Sequence, residues 1–243
     1  MAGAWVYWLV RGSLSEGSRW LRDVLLLGSG PTALRARAFA AAGVLAYRRG
    51  DFGEARTAFE EALALAREAG DRGKMSRVIM NMGSVANMQG DAERGRALID
   101  EAMVIQRELG DWQSLSICLH NLGRVELRHG TPEEAASLLE QSVDTAQKIG
   151  YRELIAYALA GFAELALARR ELERAARLLG ASDGLFDQTG ASIEGEEKES
   201  RAATLELLRD ELGSEALESL RAEGRALPEA LMLAEARPQG AQR

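Results

Sequence analysis

Apolar residues recur along most of the chain at intervals of three and four, the spacing of one face of an α-helix. One example is the run Leu115, Cys118, Leu119, Leu122 and Val125. No stretch alternates apolar and polar residues convincingly, so we expect no β-sheet. Two sets of predicted helices alternate along the chain. The first set covers residues 34–49, 74–89, 113–129 and 152–169, and the second covers residues 52–69, 92–109 and 132–149.

Glycines interrupt this pattern with a period of 40 residues. A glycine directly after a helix can adopt the left-handed conformation that closes the helix at little cost. Two such positions per period therefore predict a repeated pair of helices. One series comprises Gly30, Gly70, Gly110, Gly150 and Gly190; the other, 20 residues out of phase, comprises Gly50, Gly90 and Gly130, with Arg170 at the next step.

Small residues stand at matched places in each predicted pair. The pattern places one small residue at a fixed position of each first helix. It places two small residues in each second helix, with a bulky residue between them. Small side chains let the two helix axes approach closely, and the bulky residue fills the remaining gap. In chain order the sets are Gly43, Ala55, Phe59 and Ala62; Gly83, Gly95, Ile99 and Ala102; Gly123, Ala135, Leu139 and Ser142; and Ala163, Ala175, Leu179 and Ser182.

This small–bulky–small arrangement resembles the tetratricopeptide repeat (TPR), from about residue 5 to residue 190. The resemblance implies an all-α fold, a right-handed α-solenoid of about five helical hairpins over residues 1–190. The 40-residue period is longer than the usual 34, because extra residues lengthen the helices. Residues 191–236 break the rhythm and are expected to form a C-terminal helical cap, followed by a loose tail at 237–243.

The same resemblance implies a non-enzymatic module for protein–protein interaction. In TPR arrays the first helix of each pair lines a concave groove that holds a protein or peptide. Arginines there could pair with carboxylates or phosphates, and an apolar anchor could rest on Met80 and Tyr157. The implied groove residues are Arg37, Tyr47, Arg77, Met80, Asn87, His120, Arg124, Tyr157 and Glu164.

Short stretches at both ends are similar to the helical region of large ATP-binding bacterial regulators, including LuxR-type activators and related signalling ATPases. These stretches are residues 8–12, 176–181 and 223–227. The similarity implies the sensing or scaffolding part of a transcriptional or signalling regulator. The alternative is a free-standing adaptor that binds a peptide in its groove or homodimerises. An apolar N-terminal face is expected to contact an ATPase domain or a second copy of the chain, and it comprises Trp5, Tyr7 and Trp8.

Composition disfavours other classes of function. The chain has 243 residues, a formal net charge of −7 and a single cysteine, so direct nucleic-acid binding and a cysteine-based zinc site are not expected. His120 and His129 lie nine residues apart rather than the four that suit a helical metal pair. No catalytic constellation and no apolar run of membrane-spanning length is evident. We therefore expect no catalytic residues, no cofactor, no metal and no membrane contact, in a cytoplasmic protein.

Overall fold

The computed structural model describes residues 13–26, 28, 30–191, 193 and 195–236. These residues form twelve α-helices and no strand, so the all-α prediction is confirmed for the part of the chain described. No helix among them is both long enough and apolar enough to span a membrane. The helices are α1 (Leu14–Leu26), α2 (Thr32–Arg48), α3 (Phe52–Glu68), α4 (Arg72–Met88), α5 (Ala92–Leu109), α6 (Trp112–His129), α7 (Pro132–Lys148), α8 (Arg152–Ala168), α9 (Leu172–Thr189), α10 (Gly195–Leu212), α11 (Ser214–Ala226) and α12 (Glu229–Ala236).

The chain forms two compact units, Met1–Asp111 and Trp112–Arg243. In the first unit α2 pairs with α3 and α4 pairs with α5, while α3 contacts α4 and α1 contacts α2. In the second unit α6 pairs with α7, α8 pairs with α9, and α7 contacts α8. Each unit is therefore a stack of antiparallel helical hairpins. The boundary lies inside the predicted repeat array, and the predicted cap shares the second unit with two hairpins.

Each hairpin of the first unit closes where a glycine of one helix faces a bulky residue of the next. A Cβ atom at Gly43 would lie 2.6 Å from Cε1 of Phe59, and one at Gly83 would lie 2.8 Å from Cγ1 of Ile99. Phe59 and Ile99 are fully buried. The small–bulky contact predicted from the sequence is confirmed at these two hairpins.

The second small site carries a hydrogen bond in the second unit. Ser142 Oγ donates to the carbonyl oxygen of Ser116 at 2.8 Å. One period later, Ser182 Oγ donates to the carbonyl oxygen of Ala156, also at 2.8 Å. Both serines are completely buried. The two hairpins of this unit therefore repeat the same contact with the same geometry.

Most of the periodic glycines are left-handed, as their positions after helices predict. Gly50, for example, has φ +81°, and Arg170 in the same series has φ +63°, the only positive φ of a non-glycine among the described residues. Gly130 differs, since its φ is not positive. A Cβ atom there would overlap the carboxylate of Glu126, so this glycine provides space rather than a left-handed turn.

The helices after α9 do not continue the repeat. α11 lies directly against α9, with glycines at the contact: a Cβ at Gly180 would overlap the carbonyl of Arg221, and one at Gly224 would overlap the carbonyl of Arg177. α12 packs on α8 and α9 through Met232 and neighbouring apolar residues. This arrangement leaves α10 to lie against α8 and α9.

Candidate partner-binding surface

In the first unit, the predicted groove residues stand on α2 and α4, which contact each other directly. Arg37 and Arg77 are exposed and Met80 is half-buried. The guanidinium of Arg77 lies 3.8 Å from the carboxylate of Asp111. Two cationic side chains and one thioether are thus accessible on neighbouring first helices.

Two other predicted groove residues of this unit are engaged by their own hairpins. The ring of Tyr47 is half-buried, with its centroid 5.9 Å from that of Phe52 at the start of α3. The Oδ1 atom of Asn87 is buried, and a Cβ at Gly95 would overlap it. The amide of Asn87 therefore points into the α4–α5 contact. Gly95 on α5 leaves the space that the amide oxygen occupies, and the side chain as a whole is half-buried.

In the second unit, α6 and α8 direct their predicted groove residues toward α10. His120 is 4% exposed and Arg124 is 6% exposed. The Nε2 atom of His120 lies 3.1 Å from Oε1 of Glu197, and Nη1 of Arg124 contacts the same oxygen. Glu164 on α8 accepts a 2.6 Å hydrogen bond from the hydroxyl of Ser200. Three of the predicted groove residues therefore hold the chain's own α10.

Tyr157 supports this contact from α8. Its ring centroid lies 6.1 Å from that of His120 and 4.9 Å from that of Phe186, the latter in edge-to-face geometry. Such aromatic pairs favour defined ring orientations. Tyr157 therefore packs beside the imidazole and helps to fix its orientation.

The charge balance at Glu197 explains why a carboxylate is stable in this place. Burial acts to raise the pKa of the Glu197 carboxyl, but the hydrogen bond and charge of His120 and the charge of Arg124 outweigh it and lower the pKa to about 2. Glu197 is therefore ionised at neutral pH. A partly buried carboxylate of this kind is stable because it is paired and hydrogen-bonded.

A second ion cluster attaches α10 to α9. Arg201 on α10 is buried and contacts Asp183 on α9. The same carboxylate lies 2.8 Å from Arg221 and 3.6 Å from Arg225, both on α11. Burial of the guanidinium lowers the pKa of Arg201, with Asp183 acting in the opposite direction. One aspartate thus connects three helices of the second unit.

The residues of α10 that contact α6, α8 and α9 were not among the predicted site residues. Glu197, Arg201, Thr204 and Leu208 recur at intervals of three and four, so they share one helical face, which is half-buried at Glu197 and buried at the other three residues. The spacing of these residues could have predicted that one face of α10 is buried. It does not indicate which helices that face contacts. The predicted N-terminal contact face of Trp5, Tyr7 and Trp8 lies outside the described residues.

Within the described residues, no three histidine, cysteine, aspartate or glutamate side chains come together in a way that could hold a metal ion. Cys118 is buried. The chemistry that the assembled residues offer is recognition: a buried imidazole and guanidinium that bind a carboxylate in the second unit, and exposed guanidinium groups in the first.

Comparison with known proteins agrees with this architecture. Two family models, both described as tetratricopeptide repeat, match residues 35–69 and residues 74–148. The crystal structure of BtubC (BKLC) from P. vanneervenii is similar, with a TM-score of 0.59 and 16% sequence identity, over 89% of this chain and 91% of that chain. At this identity the similarity shows the fold alone. No curated protein sequence matches the chain.

Proposed function

We propose that this chain, which contains tetratricopeptide repeats across α2–α7, is a non-enzymatic module that binds a protein partner along the first helices of its hairpins. The observation that carries the proposal is the contact in the second unit, where first-helix side chains bind a helical segment through its glutamate. In the first unit, the equivalent helices present Arg37 and Arg77 to solvent. These arginines would pair with carboxylates of the partner.

The partner is found by photo-crosslinking in the native cell. A photoreactive residue is placed at position 37 on α2, and a control is placed at position 67 on α3, where an exposed arginine also stands. The proposal expects one protein to be captured from position 37 and not from position 67. Capture of the same proteins from both positions would contradict the assignment of the surface.

Charge reversal on the purified partner complex then tests the chemistry. Arg37→Glu is expected to weaken binding at least tenfold, because it places like charges against the partner's carboxylates. Arg67→Glu makes the same change of charge on α3 and is expected to alter binding less than twofold. If both variants lose the same amount of binding affinity, the loss reflects the change in net charge alone, and the assignment of the binding surface to α2 is refuted.

We further propose that the module is the sensing or scaffolding part of a cytoplasmic transcriptional or signalling regulator. What supports this is the similarity of three short stretches to such regulators. Two of these stretches supply Gly180 and Gly224 at the α9–α11 contact. In that setting Trp5, Tyr7 and Trp8 would contact an ATPase domain. The alternative is a free-standing adaptor.

The coding DNA on both sides of this reading frame separates the two settings. An in-frame or adjoining segment that encodes a phosphate-loop ATPase would support the regulator. An isolated gene with its own promoter directly before Met1 and no ATPase nearby would favour the adaptor.

A further inference from the structure

The two halves of α10 are attached to the second unit by different chemistry. The C-terminal half is anchored by Leu208, which is 0% exposed and belongs to the apolar core. Between residues 197 and 204, by contrast, every side chain that is not exposed is polar: Glu197, Ser200, Arg201 and Thr204. Permanent interfaces resemble an apolar core, whereas partners that associate and separate meet through more polar surfaces. The contacts of the N-terminal half of α10 are polar, like those of partners that associate and separate.

The groove depends on the carboxylate that α10 supplies. The Oε1 atom of Glu197 lies 3.1 Å from Nε2 of His120 and contacts Nη1 of Arg124, and a carboxylate in this place offsets part of the cost of burying the guanidinium. A competing occupant must therefore bring its own carboxylate. The Nδ1 atom of His120 is buried with no hydrogen-bond partner among the described residues.

The rest of the unit keeps its pairing if this segment moves away. Asp183 would lose Arg201 but retain Arg221 at 2.8 Å. α11 would stay on α9, because the close contact at Gly180 does not involve α10. Opening therefore breaks the contacts of Glu197 with α6, of Ser200 with Glu164 and of Arg201 with Asp183, and it leaves α9 paired with α11.

We propose that His120 and Arg124 form a recognition site for a glutamate on an acidic helix of the protein partner, and that Glu197 occupies this site until the partner displaces it. The proposal rests on the proposed function and specifies its partner. The partner helix carries a glutamate followed three residues later by a small hydroxyl residue, as Glu197 and Ser200 do here. It is acidic overall, as α10 is with six acidic and three basic residues.

The test uses the full chain and a fluorescein-labelled synthetic peptide with the sequence of residues 195–212 as the probe. Glu197→Gln removes the internal carboxylate and frees the site, whereas Glu206→Gln makes the same change on the exposed face of α10. Fluorescence anisotropy is expected to show at least tenfold tighter binding to the Glu197→Gln chain. Adding Arg124→Gln to that chain, or replacing the peptide's own glutamate at position 197 with glutamine, is expected to abolish the gain.

A second variant keeps the test decisive if Glu197→Gln does not fold. Circular dichroism checks the helix content of both variants. Ser200→Glu places a carboxylate against Glu164 and loosens α10 while leaving Arg124 and His120 unchanged. It is also expected to bind the peptide at least tenfold more tightly than the Glu206→Gln control. Equal binding by the control and the loosened variants, or no binding by any of them, overturns the proposal. Neither result affects the crosslinking from α2, so the two proposals fail separately.

Discussion

A methyl group at Gly83 would test the packing of the repeat at its closest point. Its Cβ would lie 2.8 Å from Cγ1 of Ile99 and 2.9 Å from the carbonyl oxygen of Gly95. Ile99 is fully buried and cannot turn into solvent, and the carbonyl belongs to the backbone of α5. Gly83→Ala therefore forces α4 and α5 apart.

The cost follows from two opposing effects. Overpacking of a core typically costs about 1–3 kcal/mol. Alanine recovers about 0.5–1 kcal/mol of this because it is a better helix former than glycine. We expect a net loss of about 1 kcal/mol for Gly83→Ala, and a larger loss for Gly83→Leu.

Urea unfolding followed by circular dichroism measures this loss as a lower transition midpoint at unchanged slope. Gly73→Ala, on the same helix, is the matched control, because its Cβ would meet nothing closer than 3.8 Å. The control is expected to be neutral or to gain up to about 1 kcal/mol from the same helix preference. Equal midpoints for the two alanine variants would refute the assignment of Gly83 to a closed helix–helix contact.

Three further changes have defined outcomes. Because the pKa of Glu197 falls from 4.5 to about 2 on folding, its stabilising contribution is complete above about pH 4.5 and is lost as the pH falls toward 2. The melting temperature of Glu197→Gln should therefore depend less steeply on pH in that range than that of the unaltered chain. Arg170→Gly should raise the free energy of unfolding by about 0.5–1 kcal/mol, seen as a higher urea midpoint, since φ +63° is unfavourable for a residue with a side chain and the exposed pair with Glu211 contributes little. A lower midpoint would contradict this. Ser182→Ala should cost about 0.5–1.5 kcal/mol in the same assay by removing the bond to Ala156, and no change would show that the bond adds nothing.

The repeated hairpins could be predicted because they depend on contacts between consecutive helices. The spacing of small and bulky residues already pairs Gly43 with Phe59 and Gly83 with Ile99, and the structure brings these residues together. Local pattern and tertiary contact agree here, as they do in repeat proteins, where each unit packs on its neighbours.

Side-chain direction within the pattern was less predictable. The period places Asn87 on a groove-lining helix, yet the missing side chain of Gly95 draws its amide into the hairpin. The period also marks Gly130 as a left-handed turn, although the residue instead makes room for Glu126. In both cases the glycine leaves space for a neighbouring polar side chain. The repeat spacing alone does not predict such a contact.

The occupied groove of the second unit could not be predicted at all. The sequence predicts a helical cap over residues 191–236 without placing it against any surface, and α10 is found there at Gly195–Leu212. Its contact between Glu197 and His120 joins residues 77 positions apart in the chain. A segment that breaks the repeat carries no period from which its docking site could be deduced.

Hydrogen exchange on the unaltered chain decides whether the N-terminal half of α10 is a displaceable occupant of the groove. Amides of residues 199–204 are compared with those of residues 218–223, which hold the same positions from the start of α11 and so correct for fraying. A displaceable segment opens locally, so the α10 amides should exchange at least tenfold faster than the α11 amides. Equal protection of the two segments would mean that α10 is a permanent part of the fold and that the groove is closed to a partner.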